Sequence, residues 1–332
     1  MPLVTDEKTA EVFVSFDVHN LVRRAEEAPG PTSRFCNQHK YPTGYLYIAL
    51  TKVYAALKHY GLNECKRTCL VLSAQENSQR RRDVYPEYKA GRAHREYSVL
   101  ELTNAYGKLE ERSPDPVGDF MDLIMCLPCI NIIMKKPWET DDALASFTHK
   151  TKKINPKAKY VIVSNDRDLW GMMADNVICT SKPKEEFSIA NLKKDYLITN
   201  PKLLPLSKAL FGDGSDKLKK AVARVTEENV AKSLPDGFLD LVKPRKGEKL
   251  SVSLASMLAK NHKLVKGTSL EACIGKEAEI QTMIDIIRLR KNLDLLLVKT
   301  KPNLKKMQTL LKWYELKSQY QPSEVMMSLY KP

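Results

Sequence analysis

Apolar positions along the chain follow two rhythms. Short unbroken runs rich in β-branched residues occur at VFVSF (12–16), CLVL (69–72), INIIM (130–134), YVIV (160–163) and NVICT (176–180). Runs of this length and composition read as strands buried on both faces. Between them lie longer amphipathic segments, such as GYLYIALTKVYAALKHY (44–60) and the stretch around 117–127, whose spacing predicts helices. Strands alternating with helices predict an α/β fold: a twisted, mostly parallel central sheet with helices on both faces. After about residue 185 the strand signal fades. Helical patterns follow at 188–198, 205–211, 217–233, 250–260, 277–290 and 303–317. This reading divides the chain into an α/β core, 1–190, and a helical, basic C-terminal subdomain, 191–332.

In an open parallel sheet, sites lie beyond the carboxyl ends of the strands. What leaves each strand therefore matters. The first strand runs into Asp17, with Asn20 three residues on. The third is followed by WETDDALASF, where Glu139, Asp141 and Asp142 open a helix. The fourth runs into SNDRDLW, with Asp166 and Asp168 two positions apart. Farther on, GDGSD presents Asp213 and Asp216. Each motif has a plain structural reading: a cap, acids favoured at a helix N-terminus, a glycine-rich turn. Eight carboxylates brought together would repel one another and need neutralising. Hard divalent cations do this through oxygen ligands, so the pattern points to two Mg²⁺ ions, with Mn²⁺ able to substitute.

Charge adds a partner. Lys plus Arg is 54 against 40 Asp plus Glu, a net +14, which suits a polyanion, nucleic acid before an anionic membrane surface. No apolar run reaches the length of a membrane span, and the start lacks the apolar stretch of a signal peptide, so a cytoplasmic location is expected. The seven cysteines favour free thiols. A zinc site from Cys65, Cys69, Cys126 and Cys129 is disfavoured because DLIMCLPCINIIM is an apolar segment where small buried cysteine belongs. Basic residues gather in QRRRDVYPEYKAGRAHR (79–95), where tyrosines are interleaved. Cations there suit phosphates and aromatic rings suit unpaired bases.

The order of these motifs resembles the 5′-nuclease family: Asp17 with Asn20, then YPEYKAGR, ETDDALAS, SNDRDLW and GDGSD. That family includes flap endonucleases, the 5′-nuclease domain of bacterial DNA polymerase I, and bacteriophage 5′-exonucleases and ribonucleases H. The resemblance implies a PIN-like fold with a helical arch, here about 77–112, over the active site. It implies that Asp17, Glu139, Asp141, Asp142, Asp166, Asp168, Asp213 and Asp216 hold metal. It assigns catalytic work to Lys89, Arg92, Asp142 and Asp166. It places Arg24, Arg80, Arg81, Arg82, Tyr88, Lys89, Arg92, Arg95, Lys217, Lys219 and Lys220 against nucleic acid.

Two departures stand out. The family carries an acid just after the second strand; here Ser73 or Ala74 takes that place, and Glu76 is the nearest acid. The glycine hairpin that often follows GDGSD is absent, so K⁺ binding is not expected. The implied function is a monomeric 5′-3′ exonuclease and flap endonuclease with ribonuclease H activity. It would remove RNA primers or 5′ flaps in phage DNA replication, in the host cytoplasm, beside a replisome or single-strand-binding protein. Its substrates would be DNA and RNA·DNA duplexes with 5′ ends or flaps. Two other readings are a structure-specific nucleic-acid-binding protein with impaired catalysis and a PIN-type ribonuclease.

Overall fold

The computed structural model describes residues 9–324 apart from 63–66, 75–76, 91–96, 128–129, 134–137, 183–184, 192–200, 202–203, 215, 221–270, 272, 274, 320 and 323. Five predicted strands form where the β-branched runs lie: β1 (Val12–Asp17), β2 (Thr68–Ser73), β5 (Ile130–Ile133), β6 (Lys159–Val163) and β7 (Val177–Lys182). With β8 (Glu185–Phe187) and β9 (Leu297–Lys299) they make a seven-stranded sheet, ordered β8-β7-β6-β1-β2-β5-β9. The five inner strands are parallel, and both edges are antiparallel.

Alternate residues of each strand point to opposite faces, and both faces are buried. On one face Val14, Phe16, Leu70 and Leu72 pack against α1 (Val18–Glu26), α2 (Gly44–Leu57), α4 (Pro116–Ile124) and α8 (Leu304–Trp313). On the other, Phe13, Cys69, Val71 and Tyr160 pack against α5 (Thr140–Ile154). Phe13 and Tyr160 stack with ring centroids 4.8 Å apart. The α/β class with helices on both faces is thus as the pattern of residues predicts.

Other elements depart from that pattern. The stretch expected to form an arch contains α3 (Gln79–Val84) and an antiparallel hairpin, β3 (Leu100–Thr103) with β4 (Leu109–Arg112). The helix expected at 277–290 forms as α7 (Glu277–Ile287), but residues 297–299, beyond the expected core, form an edge strand of the central sheet, and α8 joins the core. Of the helix expected at 217–233, the described part, 217–220, is not helical; Asp213 and Leu218 instead pair across a tight turn. The rest of that segment, the helix expected at 250–260, and most of that at 188–198 lie outside the described residues. So do Cys65 and Cys129; Cys69 and Cys126 are buried free thiols. No described helix is long and apolar enough to cross a membrane.

Strand register fixes where the chain's polar exits lie. Asp17 pairs with Ser73, Ser73 with Ile133, and Phe16 with Val163. The carboxyl ends of β1, β2, β5 and β6 therefore form one level edge, and the segments that follow them emerge together.

Candidate metal centre

Local capping and long-range convergence coexist at this edge. Asp17 caps α1, accepting from the Asn20 amide at 3.0 Å. Asp166 caps the 3₁₀ turn Arg167–Met172, accepting from the Asp168 amide at 2.9 Å. Glu139 is the N-cap residue of α5, and Asp141 and Asp142 lie in its first turn. The caps made by Asp17 and Asp166 each engage one carboxylate oxygen, and a carboxylate has two.

Asp141, Asp166 and Asp168 come together, each offering a carboxylate oxygen, with those atoms all within 4.8 Å of one another. Asp17 lies close enough to Asp141, and Asp216 close enough to Asp166, to raise their neighbours' affinity for protons. Burial, then Asp166 and Asp17, holds the Asp141 carboxyl well above the usual range. Burial and Asp168 push Asp166 up to about 7. Burial pushes Asp142 up to about 6, with Glu139 adding to the rise and Arg81 opposing it. Buried carboxylates that raise one another's pKa relax when a cation arrives. The donors are all hard oxygens, which suits Mg²⁺ or Mn²⁺ over softer metals.

Three side-chain cations already enter this acid field. Arg81 is only 5% exposed. One arm of its guanidinium donates to Glu139 and, at 2.8 Å, to the Tyr88 hydroxyl; the other donates to Asp142 at 3.2 Å. Lys89 donates to Glu139 at 2.8 Å. Its backbone is left-handed, φ 53°, and its amide is held by the Asp216 carbonyl at 3.0 Å. Lys208 donates to Asp168 and, at 2.6 Å, to Asp213. Burial alone would lower both lysines. The surrounding acids, Glu139 and Asp141 for Lys89 and Asp168 and Asp213 for Lys208, outweigh it and keep both charged.

The structure sorts the expected nucleic-acid residues into groups. Arg81 and Tyr88 are buried, and both bond to the protein's own acids. The Tyr88 hydroxyl lies 3.3 Å from Glu139 and 3.5 Å from Asp216. Arg82 is exposed, and Arg80 sits 5.4 Å from the Trp138 ring. Arg24 is exposed, its Nε 3.1 Å from the Asn165 oxygen once that amide is turned to face it. Lys217, Lys219 and Lys220 are exposed, with Lys219 2.7 Å from Glu87. Arg92, Arg95 and Glu76 lie outside the described residues.

At the end of β2 the residue in phase with Asp17 is Ser73. It is fully buried, its hydroxyl 3.5 Å from that of Thr140, whereas Ala74 packs toward the opposite face. Lys208 is a site residue that the sequence reading missed. Its one signal is position: the last turn of α6 (Leu204–Phe211), directly before GDGSD.

Comparison with known proteins gives a family and similar folds. Residues 12–197 match the model of the 5′-3′ exonuclease N-terminal resolvase-like domain. The fold resembles that of the bacteriophage T5 flap endonuclease, solved as a pseudo-enzyme-product complex with DNA and metal ions. The TM-score is 0.51 at 13% identity, covering 96% of this chain and 98% of that one. The same phage protein co-crystallised with metal ions gives 0.46 at 14% identity, over 83% of this chain and 100% of that one. The catalytic core of Rad2 with DNA substrate gives 0.47 at 12%, over 99% and 95%. The family model spans more than half of the 332 residues, and the chain belongs to that family: it is a 5′-nuclease, a hydrolase of phosphodiester bonds.

Proposed function

We propose that the chain is a divalent-metal-dependent 5′-3′ exonuclease and flap endonuclease. It acts near the 5′ ends of DNA and RNA·DNA duplexes and removes RNA primers or 5′ flaps during phage DNA replication. The observation that carries this is the triad of Asp141, Asp166 and Asp168 at the strand ends, two of them buried and Asp166 partly so, with Asp17, Asp213 and Asp216 in the same acid field. Bound Mg²⁺ or Mn²⁺ would supply an activated water and a counter-charge for the leaving oxygen.

The chain's own residues do the rest. Asp141, Asp166 and Asp168 would hold the cation, and the elevated proton affinity of Asp141 and Asp166 means that these two exchange protons for it. Lys89, aimed inward by its left-handed backbone, brings a fixed ammonium to the edge of the acid field. There it can offset charge that develops on a phosphate. Arg82, Lys217 and Lys220 are exposed cations suited to the nucleic-acid backbone. Support for duplex and flap substrates comes from the family match and from the DNA complexes of the similar folds. Ribonuclease H activity, a replisome or single-strand-binding partner, a monomeric state and a cytoplasmic site of action belong to the same proposal.

The test is single-turnover cleavage of a 5′-labelled flap and of an RNA-primed duplex, in Mg²⁺, Mn²⁺ and EDTA. Short 5′ products that vanish in EDTA are expected from both. Tight binding of the flap without cleavage in either metal would overturn the nuclease reading.

A further inference from the structure

Like Glu139, Asp142 has both of its carboxylate oxygens engaged by the protein itself. Oδ2 accepts from Arg81 at 3.2 Å, and Oδ1 accepts from the Arg290 amide at 2.8 Å. The triad that clusters within 4.8 Å is built from Asp141, Asp166 and Asp168 without it. Successive residues in a helix point about 100° apart, so Asp141 and Asp142 face different neighbours. The Arg290 carbonyl in turn accepts from Ser146 at 2.7 Å, and the Ser146 hydroxyl accepts from the Leu293 amide at 3.2 Å. Segment 290–293 is thus fastened along α5, and Asp142 is its first fastening. Arg81 reaches across to Glu139, which also receives Lys89.

We infer that Asp142 is a positioning residue that holds Arg81, not the metal, and that Arg81 in turn fixes Glu139 and, through it, Lys89. A buried guanidinium stripped of one acceptor is poorly compensated, and its fork moves to find another. Loss of Asp142 therefore reaches the reacting phosphate through Arg81, Glu139 and Lys89 rather than through a missing ligand. The inference rests on the nuclease reading above.

The experiment compares Asp142→Asn, Asp141→Asn, Arg81→Met and the Asp142→Asn/Arg81→Met double variant. Mn²⁺ binding is counted by electron paramagnetic resonance without substrate, and cleavage is measured in single turnover. Asp142→Asn should bind as many Mn²⁺ ions as the wild type, with affinity within about threefold, while Asp141→Asn loses an ion or weakens by about tenfold or more. Cleavage should fall in both Asp142→Asn and Arg81→Met. The double variant should be no slower than Arg81→Met alone, because both changes break one chain of contacts. Loss of a Mn²⁺ ion in Asp142→Asn, or cleavage losses that multiply in the double variant, would overturn the inference. Asp142→Glu, which keeps the charge, carries the same comparison if the amide variant does not fold. Should the wild type fail to cleave, the nuclease reading falls, while the Mn²⁺ counts still decide the role of Asp142.

Discussion

Asp119 and most of the acids at the carboxyl edge of the sheet are buried, yet they are neutralised in different ways. Asp119, with no exposed surface, accepts from Tyr41 and Tyr45 at 2.6 Å each, from Tyr314 at 3.0 Å, and from Arg112. One carboxylate meets one guanidinium and three hydroxyls, and the set is closed. Its partners come from the loop before α2, from α2 itself, from β4 and from the end of α8. The closed site thus ties the hairpin and the C-terminal helix to the core. At the strand ends, eight carboxylates meet three largely buried cations among the described residues: Arg81, Lys89 and Lys208. That set is open by charge. A closed buried carboxylate holds elements together, whereas a surplus of them is retained at a cost in stability and marks a place where a cation is to bind.

The largest effect that could break this comparison comes from exchanging one acid in each place. Asp168→Asn should reduce Mg²⁺-dependent cleavage by roughly a hundredfold or more. Its unfolding free energy should stay within about 1 kcal/mol of wild type, because one repelling charge is lost along with one partner of Lys208. Asp119→Ala should do the reverse. Leaving Arg112 with only its 3.8 Å pair to Glu110, and three phenols without their acceptor, should cost about 3–5 kcal/mol. Cleavage per folded molecule should change by less than about tenfold. Urea unfolding and single-turnover rates on the same preparations separate the two. A stable, active Asp119→Ala protein would mean that the closed site is not what joins those elements.

A smaller effect lies in pH. The folded-state Asp166 carboxyl sits near about 7, against an ordinary 3.8. Between those values the folded chain holds a proton that the unfolded chain has released. Without metal, the stabilisation from this proton is complete below the lower value and is lost as pH rises through the upper one. The melting temperature in EDTA should therefore fall as pH rises through this window. Saturating Mn²⁺ replaces the proton and should flatten or reverse the trend, and Mn²⁺ affinity should climb until about pH 7 and then level. Calorimetry in two buffers of different ionisation enthalpy would detect the released protons. Proton-neutral binding at pH 6 would count against an acid field of this kind.

How much of this was legible in the sequence follows from what each feature depends on. The five inner strands were readable because β-branched runs buried on both faces leave little alternative. The acids were readable because parallel strands must deliver their next residues to one edge. Four things were not. In QRRR every arginine looks alike, and only the docking of α3 against α5 decides that Arg81 is the one turned inward. The hairpin was missed because LELT and LEER are short and glutamate-rich, with a turn closed by Asn104, whose side chain accepts from the Tyr106 and Lys108 amides at 3.0 and 3.1 Å. Strand β9 was missed because three residues carry too little period. It exists because the edge of β5 offers it partners. Pairings between distant segments, including Lys208 with Asp168, leave no local trace.

The smallest effect tests whether the Asp119 site is closed in the sense argued above. Tyr314→Phe removes one hydroxyl and no volume to speak of. The lost bond to Asp119 is 3.0 Å long, and the same hydroxyl is 3.4 Å from Arg112. Asp119 keeps the two shorter bonds from Tyr41 and Tyr45 and its ion pair with Arg112. A saturated acceptor that loses one of several donors should lose about 1 kcal/mol, the net worth of an ordinary hydrogen bond, and not the penalty of an exposed buried charge. Tyr45→Phe removes a shorter bond in a more enclosed place and should cost somewhat more. Both proteins should cleave at the wild-type rate once folded. If Tyr314→Phe instead costs as much as Asp119→Ala, the hydroxyl is the member that neutralises the site, and the ion pair with Arg112 is not.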